Sequence, residues 1–199
     1  VPQFSIAYEE LTVEENIEST IRLRAKTKGY GNFYDLVDRI LAATGLDSIR
    51  DRPVKVLSGG QKRRLSLALE LVTEPVLLLC DEVTSGLDPK SEQEIVKLMY
   101  ELSRNEHRIV INVTHSLANL ELYDSVLVLD AGYVVYHGPP RAIEHYFSVD
   151  KAEDVYPQLA KRDSEAWANS WAKHRDSYYS EFTVSGVLPE DSVSAATPG

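Results

Sequence analysis

The sequence has one cysteine, one methionine and no surplus of positive charge. The lone thiol, Cys80, excludes an internal disulfide framework or cysteine-based zinc site. Its place in Val76-Leu77-Leu78-Leu79-Cys80 reads as a small buried hydrophobe. Nowhere do about 18 consecutive apolar residues occur, so no transmembrane helix is predicted. Val1-Pro2-Gln3 also lacks the basic region and apolar run of a signal peptide. Lys and Arg total 21 against 31 Asp and Glu, and the formal charge of −10 repels polyanions, so nucleic acid is not an expected partner. The absence of an initiating Met leads to the expectation that the chain belongs to a longer protein.

What is present suits one globular domain with an appended tail. Thr12-Val13-Glu14-Glu15 is a capping box that opens a helix running to about Lys26. A second helix starts at Asn32, since Phe33, Leu36, Val37, Ile40 and Leu41 recur at helical spacing, and Gly45 stops it. Residues 12–56 therefore read as mainly helical. From residue 57 the pattern alternates: helix near 59–73, strand 76–80, helix 89–104, strand 108–113. That order predicts a parallel sheet covered by helices, an α/β fold. Asp88-Pro89 gives the third of these an N-cap and a proline at its first position. A hairpin follows around Ala131-Gly132. Beyond residue 147 the periodicity thins, and 148–199 reads as linker or tail, partly disordered, with 183–199 the poorest in large side chains. Trp167 and Trp171 share a helical face, turned either to the domain or to a partner.

Three places carry candidate chemistry. Leu57-Ser58-Gly59-Gly60-Gln61 opens a helix, where paired glycines permit close backbone approach and the free N–H groups favour an anion; a plain N-cap with a flexible approach is the alternative. Asp81 and Glu82 end an apolar strand, a costly arrangement unless the carboxylates meet a cation or water at the sheet edge. In a nucleotide hydrolase Asp81 would hold Mg²⁺ and Glu82 would orient and polarise the attacking water; a capping pair in a loop is the alternative. His115 follows another apolar strand at the same predicted edge, either as a loop residue or as a polar contact to a γ-phosphate.

Taken together these segments resemble the ATP-binding cassette (ABC) ATPases. Residues 57–61 are similar to the family's signature loop, 77–82 to its Walker B strand with the catalytic glutamate, Ser85-Gly86-Leu87-Asp88 to its D-loop, Thr114-His115 to its switch histidine and Val1-Pro2-Gln3 to its Q-loop. The resemblance implies a P-loop NTPase (RecA-like) core with a parallel sheet, about 76–147, and a helical subdomain, about 12–75, both within a nucleotide-binding domain spanning 1–147. It implies ATP and Mg²⁺ as ligands. Glu82 and His115 would then be catalytic, and Asp81 and Gln3 metal-associated. Gln3, Ser58, Gly59, Gly60, Gln61 and Asp88 would contact nucleotide, with Ser58, Gly59 and Gly60 completing the site of a second cassette in a head-to-tail dimer. A transmembrane permease domain, on the same or a separate chain, is the other implied partner, and the cytoplasmic face of a membrane the implied location.

Thr84 to Asp88, Gly60-Gln61-Lys62-Arg63-Arg64 and Tyr136-His137-Gly138-Pro139 through Tyr146-Phe147 are further similar to G-type exporters and their bacterial counterparts. Two departures stand out. The Walker A motif Gly-x-x-x-x-Gly-Lys-Ser/Thr occurs nowhere, so these residues alone are expected to be inactive. Val83 stands where the family usually has proline, and is expected to stiffen the Glu82 turn less. A soluble non-transport cassette and a non-enzymatic interaction module stay open as alternatives.

Overall fold

The computed structural model describes residues 1, 7–24, 32–105 and 108–184, the last four by backbone alone. It divides into two compact units, Val1–Ser116 and Leu117–Gly199.

In the first unit three helices share one core: α1 (Val13–Arg24), α2 (Phe33–Thr44) and α3 (Gly59–Leu71). Their apolar faces meet through Val13 and Ile17, Val37 and Leu41, and Leu65 and Ala68, all of them inaccessible to solvent. The predicted caps are present. The Glu15 amide donates to Thr12 Oγ1 at 3.1 Å and the Thr12 amide to Glu15 Oε2 at 2.8 Å, which satisfies orphan donors of the first turn. Asn32 caps α2, and Gly45 closes it with a left-handed φ of 65°, a conformation that costs glycine least. Buried Asn16 is fully engaged: its side chain accepts from the Tyr8 amide at 2.8 Å and donates to the Tyr8 and Thr12 carbonyls at 3.0 and 2.9 Å. It pins the segment before α1 to the helical layer.

Next come β1 (Leu77–Asp81), α4 (Pro89–Asn105) and β2 (Ile109–Val113). The strands pair in parallel, with Leu79 opposite Ile111 and Asp81 opposite Val113. Leu78 and Cys80 are buried on one face, and α4 buries Ile95, Val96, Leu98, Met99 and Leu102. On the other face Leu77, Leu79, Ile109, Ile111 and Val113 stay exposed. The sheet expected to be covered by helices is thus, among the described residues, buried on one face.

The second unit contains the hairpin of β3 (Val126–Asp130) and β4 (Tyr133–Gly138), then α5 (Ile143–Phe147), α6 (Val155–Leu159) and α7 (Ser164–Val184). Asp130 pairs with Tyr133, so Ala131-Gly132 is a two-residue loop, and φ is positive at both, 46° and 85°. Residues 148–180 hold more packed structure than a linker or tail: Trp167 and Trp171 are buried against Tyr136, Tyr146 and Phe147, with the Tyr136 and Trp171 rings 5.2 Å apart. The domain-facing alternative for the tryptophan pair is the one the structure shows. Residues 185–199, Gln3 and the expected helix end at Lys26 lie outside the described residues.

Candidate functional site

The apolar strand β1 ends in Asp81, exposed on the same face as Leu77 and Leu79, and the chain then turns sharply at Glu82. Glu82 has φ of 46°, a left-handed conformation disfavoured for a side chain of this kind. Two backbone hydrogen bonds hold it there: its own amide donates to the Val113 carbonyl at 2.9 Å and the Ser85 amide donates to the Glu82 carbonyl at 3.0 Å. Such strain persists only where neighbours over-determine it, and it concentrates at functional sites. Val83 is fully buried and Thr84 nearly so, and the Leu87 amide donates to the Thr84 carbonyl at 3.2 Å. Packing and hydrogen bonds therefore fix the turn without a proline.

β2 brings His115 to the same edge. Its Nδ1 lies 3.6 Å from Glu82 Oε1, with the histidine side chain 69% and the glutamate 37% exposed. The pair is an open contact rather than a buried ion pair. Asp81 and Glu82 offer hard carboxylate oxygens next to solvent, the donor set that suits Mg²⁺ when water and phosphate complete its shell. The Asp81 amide donates to the Val1 carbonyl at 3.1 Å, so residue 1 adjoins the end of β1.

A second part of the region lies at the start of α3. Ser58 caps it in a complete capping box: the Gln61 amide donates to Ser58 Oγ at 3.3 Å and the Ser58 amide to Gln61 Oε1 at 3.0 Å. The capping role is real, and it orients Ser58 while leaving its hydroxyl hydrogen to donate elsewhere. A third part is the start of α4, where Asp88 Oδ1 accepts from the Lys90 and Ser91 amides, both at 3.1 Å, and Oδ2 accepts from the Ser91 hydroxyl at 2.6 Å. The Ser91 hydroxyl and amide hold the Asp88 carboxyl below its usual range, so it caps as an anion. The structure thus brings Asp81, Glu82 and His115 together at one sheet edge, and places Ser58, Gly59, Gly60, Gln61 and Asp88 on two adjoining helix starts.

Arg63 and Leu87 stand in the sequence only as members of family-like runs, with no contact of their own implied, and Ser91 in none. A β carbon on Gly59 would lie 3.3 Å from Leu87 Cδ2, one on Gly60 would lie 3.2 Å from Ser91 Oγ, and Arg63 Nη2 donates to the Ser85 carbonyl at 3.5 Å. The available signal was helical spacing: Gly59 and Arg63 stand four apart on one face of α3.

Residues 1–85 match the ABC transporter family model. An ABC transporter ATP-binding/permease protein of Mycobacterium tuberculosis is 34% identical over 177 residues, covering 87% of this chain and 20% of that protein. A methionine import ATP-binding protein of Paraburkholderia xenovorans is 34% identical over 173 residues, 77% of this chain and 44% of its own length. A white-brown complex homolog protein of Arabidopsis thaliana is 33% identical over 158 residues, 74% of this chain and 14% of its own. The chain thus spans less than half the length of these curated relatives. Among solved structures, cbiO1 of Clostridium perfringens, part of the ABC transporter complex cbiONQ, superposes with a TM-score of 0.64 at 28% identity, over 81% of this chain and 61% of that one. With the ordered motifs, the parallel β1–β2 pair and the helical layer, these likenesses identify the chain as a member of the ABC transporter family, in its ATP-binding cassette, with the P-loop NTPase fold.

Proposed function

We propose that this chain is the signature-to-switch part of an ATP-binding cassette that hydrolyses ATP to drive a membrane transporter, an exporter of the G type. The observation that carries this reading is the meeting of Asp81, strained Glu82 and His115 at the end of the parallel pair, 3.6 Å separating the last two. Glu82 would accept a hydrogen bond from the attacking water and orient it toward the γ-phosphate, with His115 as a polar partner at the same edge. Asp81 would hold Mg²⁺, which when bound neutralises charge on the phosphate oxygens, and Gln3 would join it at the metal or water. The likeness to an ATP-binding/permease protein and a white-brown homolog supports a permease partner and the G-type assignment. Ser58, Gly59, Gly60, Gln61 and Asp88 would face nucleotide across a head-to-tail pair of cassettes at the cytoplasmic face of the membrane. Helical subdomain and RecA-like core would divide near residue 75.

Glu82→Gln in the full-length protein tests the reading. ATP binding should persist while turnover falls by roughly 10²–10⁴-fold, the scale of a lost general base. Turnover equal to the parent's would remove Glu82 from the role of water-activating residue.

A further inference from the structure

The start of α3 and the Glu82 turn are joined by contacts that follow helical rows. On one row Gly59 lies against Leu87, and four residues on, Arg63 Nη2 reaches the Ser85 carbonyl at 3.5 Å. On the neighbouring row Gly60 lies against Ser91, and four residues on, Arg64 Nη2 donates to Glu94 Oε2 at 3.1 Å. Glycines at the helix start allow a backbone approach that a β carbon would crowd, and arginines one turn later span the widening gap. The Ser85 carbonyl that receives Arg63 belongs to the residue whose amide closes the strained turn on the Glu82 carbonyl.

From this we infer that Arg63 is a positioning residue, bracing the turn of residues 82–88 from α3 so that Glu82 and the Ser58 loop keep one fixed relation. Resting on the proposed ATPase reading for its consequence, this gives Arg63 a role in turnover without contact to nucleotide. Partial burial lowers the guanidinium's pKa, arginine keeps its charge in proteins, and a partly buried charge facing a carbonyl holds more firmly than one in open water. Arg64 serves a different purpose. It also donates to the Thr44 carbonyl at 3.2 Å and so ties α2, α3 and α4 together.

Two readouts separate this inference from the function it rests on. In the 199-residue chain, amide hydrogen exchange at Ser85 and Leu87 should quicken roughly tenfold in Arg63→Ala, the size of losing one hydrogen bond from a charged donor. Exchange in β4 should not change, and Arg63→Lys should restore most of the protection. Unchanged exchange at Ser85 and Leu87 in Arg63→Ala overturns the brace whatever the ATPase does. In the full-length protein, Arg63→Ala should lower kcat about 10- to 100-fold, the scale of a sub-ångström to 1 Å misplacement, with KM for ATP within about twofold of the parent. Should Arg63→Ala fold poorly, Arg63→Lys and Arg63→Met carry the comparison, Lys near the parent and Met impaired. If the parent and Arg63→Ala turn over alike while Glu82→Gln is slow, the inference fails and the ATPase reading stands. If exchange responds to Arg63 but Glu82→Gln is as active as the parent, the ATPase reading fails and the brace stands.

Discussion

Cys80 shows how one residue reports on the covered face of β1. It is 1% exposed, and burial pushes its thiol up to about 11, because the thiolate would lose its hydration there. The sign for stability follows. In the unfolded chain the thiol ionises at about 9, so between there and 11 the unfolded state binds fewer protons than the native one, and stability falls as pH rises. The same burial makes the native thiol a poor nucleophile. Treated with iodoacetamide at pH 8, the native chain should stay at its parent mass and gain one adduct only in denaturant. Alkylation of the native protein at the unfolded rate would mean that this side of β1 is open. Glu82 teaches a different residue-level lesson. Its position after an apolar strand was legible in the sequence, whereas its positive φ was not, since glutamate has no local preference for that conformation.

Helix starts and stops were the most legible elements, because each rests on a local hydrogen bond or backbone preference. Thr12 with Glu15, Asn32, Gly45 and Asp88-Pro89 all do what their residue types dictate. After residue 147 only the shared helical face of Trp167 and Trp171 was legible, and the packed core around it was not. That core gathers Tyr136, Tyr146, Phe147, Trp167, Trp171 and Tyr178 from distant pieces, so no single window shows an apolar period. The start of α3 was legible as a cap or an anion-facing loop, and the geometry realises the cap. Two substitutions at Ser58 separate the roles in the full-length protein. Ser58→Ala should cost about 0.5–2 kcal/mol of stability through the lost cap, read as a shift in the urea midpoint. Ser58→Arg adds bulk at an exposed position, and should block closure onto nucleotide while sparing its first binding. Equal turnover per folded molecule in Ser58→Arg and parent would confine Ser58 to capping.

For the molecule as a whole, the open apolar face of β1 and β2 and the missing Gly-x-x-x-x-Gly-Lys-Ser/Thr motif both bear on how much of a nucleotide site these 199 residues hold. In cassettes of this fold that motif cradles the phosphates by backbone N–H groups and a lysine. What the chain offers in its place is sparse. The Ser58 amide and the Gln61 amide at the start of α3 are already engaged in the capping box, and Asp81, Glu82 and Asp88 bring carboxylates to the region. A net charge of −10 further opposes the approach of a polyanionic nucleotide. Mg²⁺ can offset part of that repulsion, but one or two carboxylates without a phosphate cradle hold it weakly. The 199-residue chain titrated with Mg-ATP in a calorimeter should therefore show no saturation below about 1 mM, a binding free energy weaker than about −4 kcal/mol. The same titration on the full-length protein should saturate at lower concentration if the cradle lies in residues outside this sequence. Micromolar binding by the 199 residues alone would mean that the phosphates are held by groups other than those assigned, and the roles of Asp81, Glu82 and Ser58 would have to be drawn again.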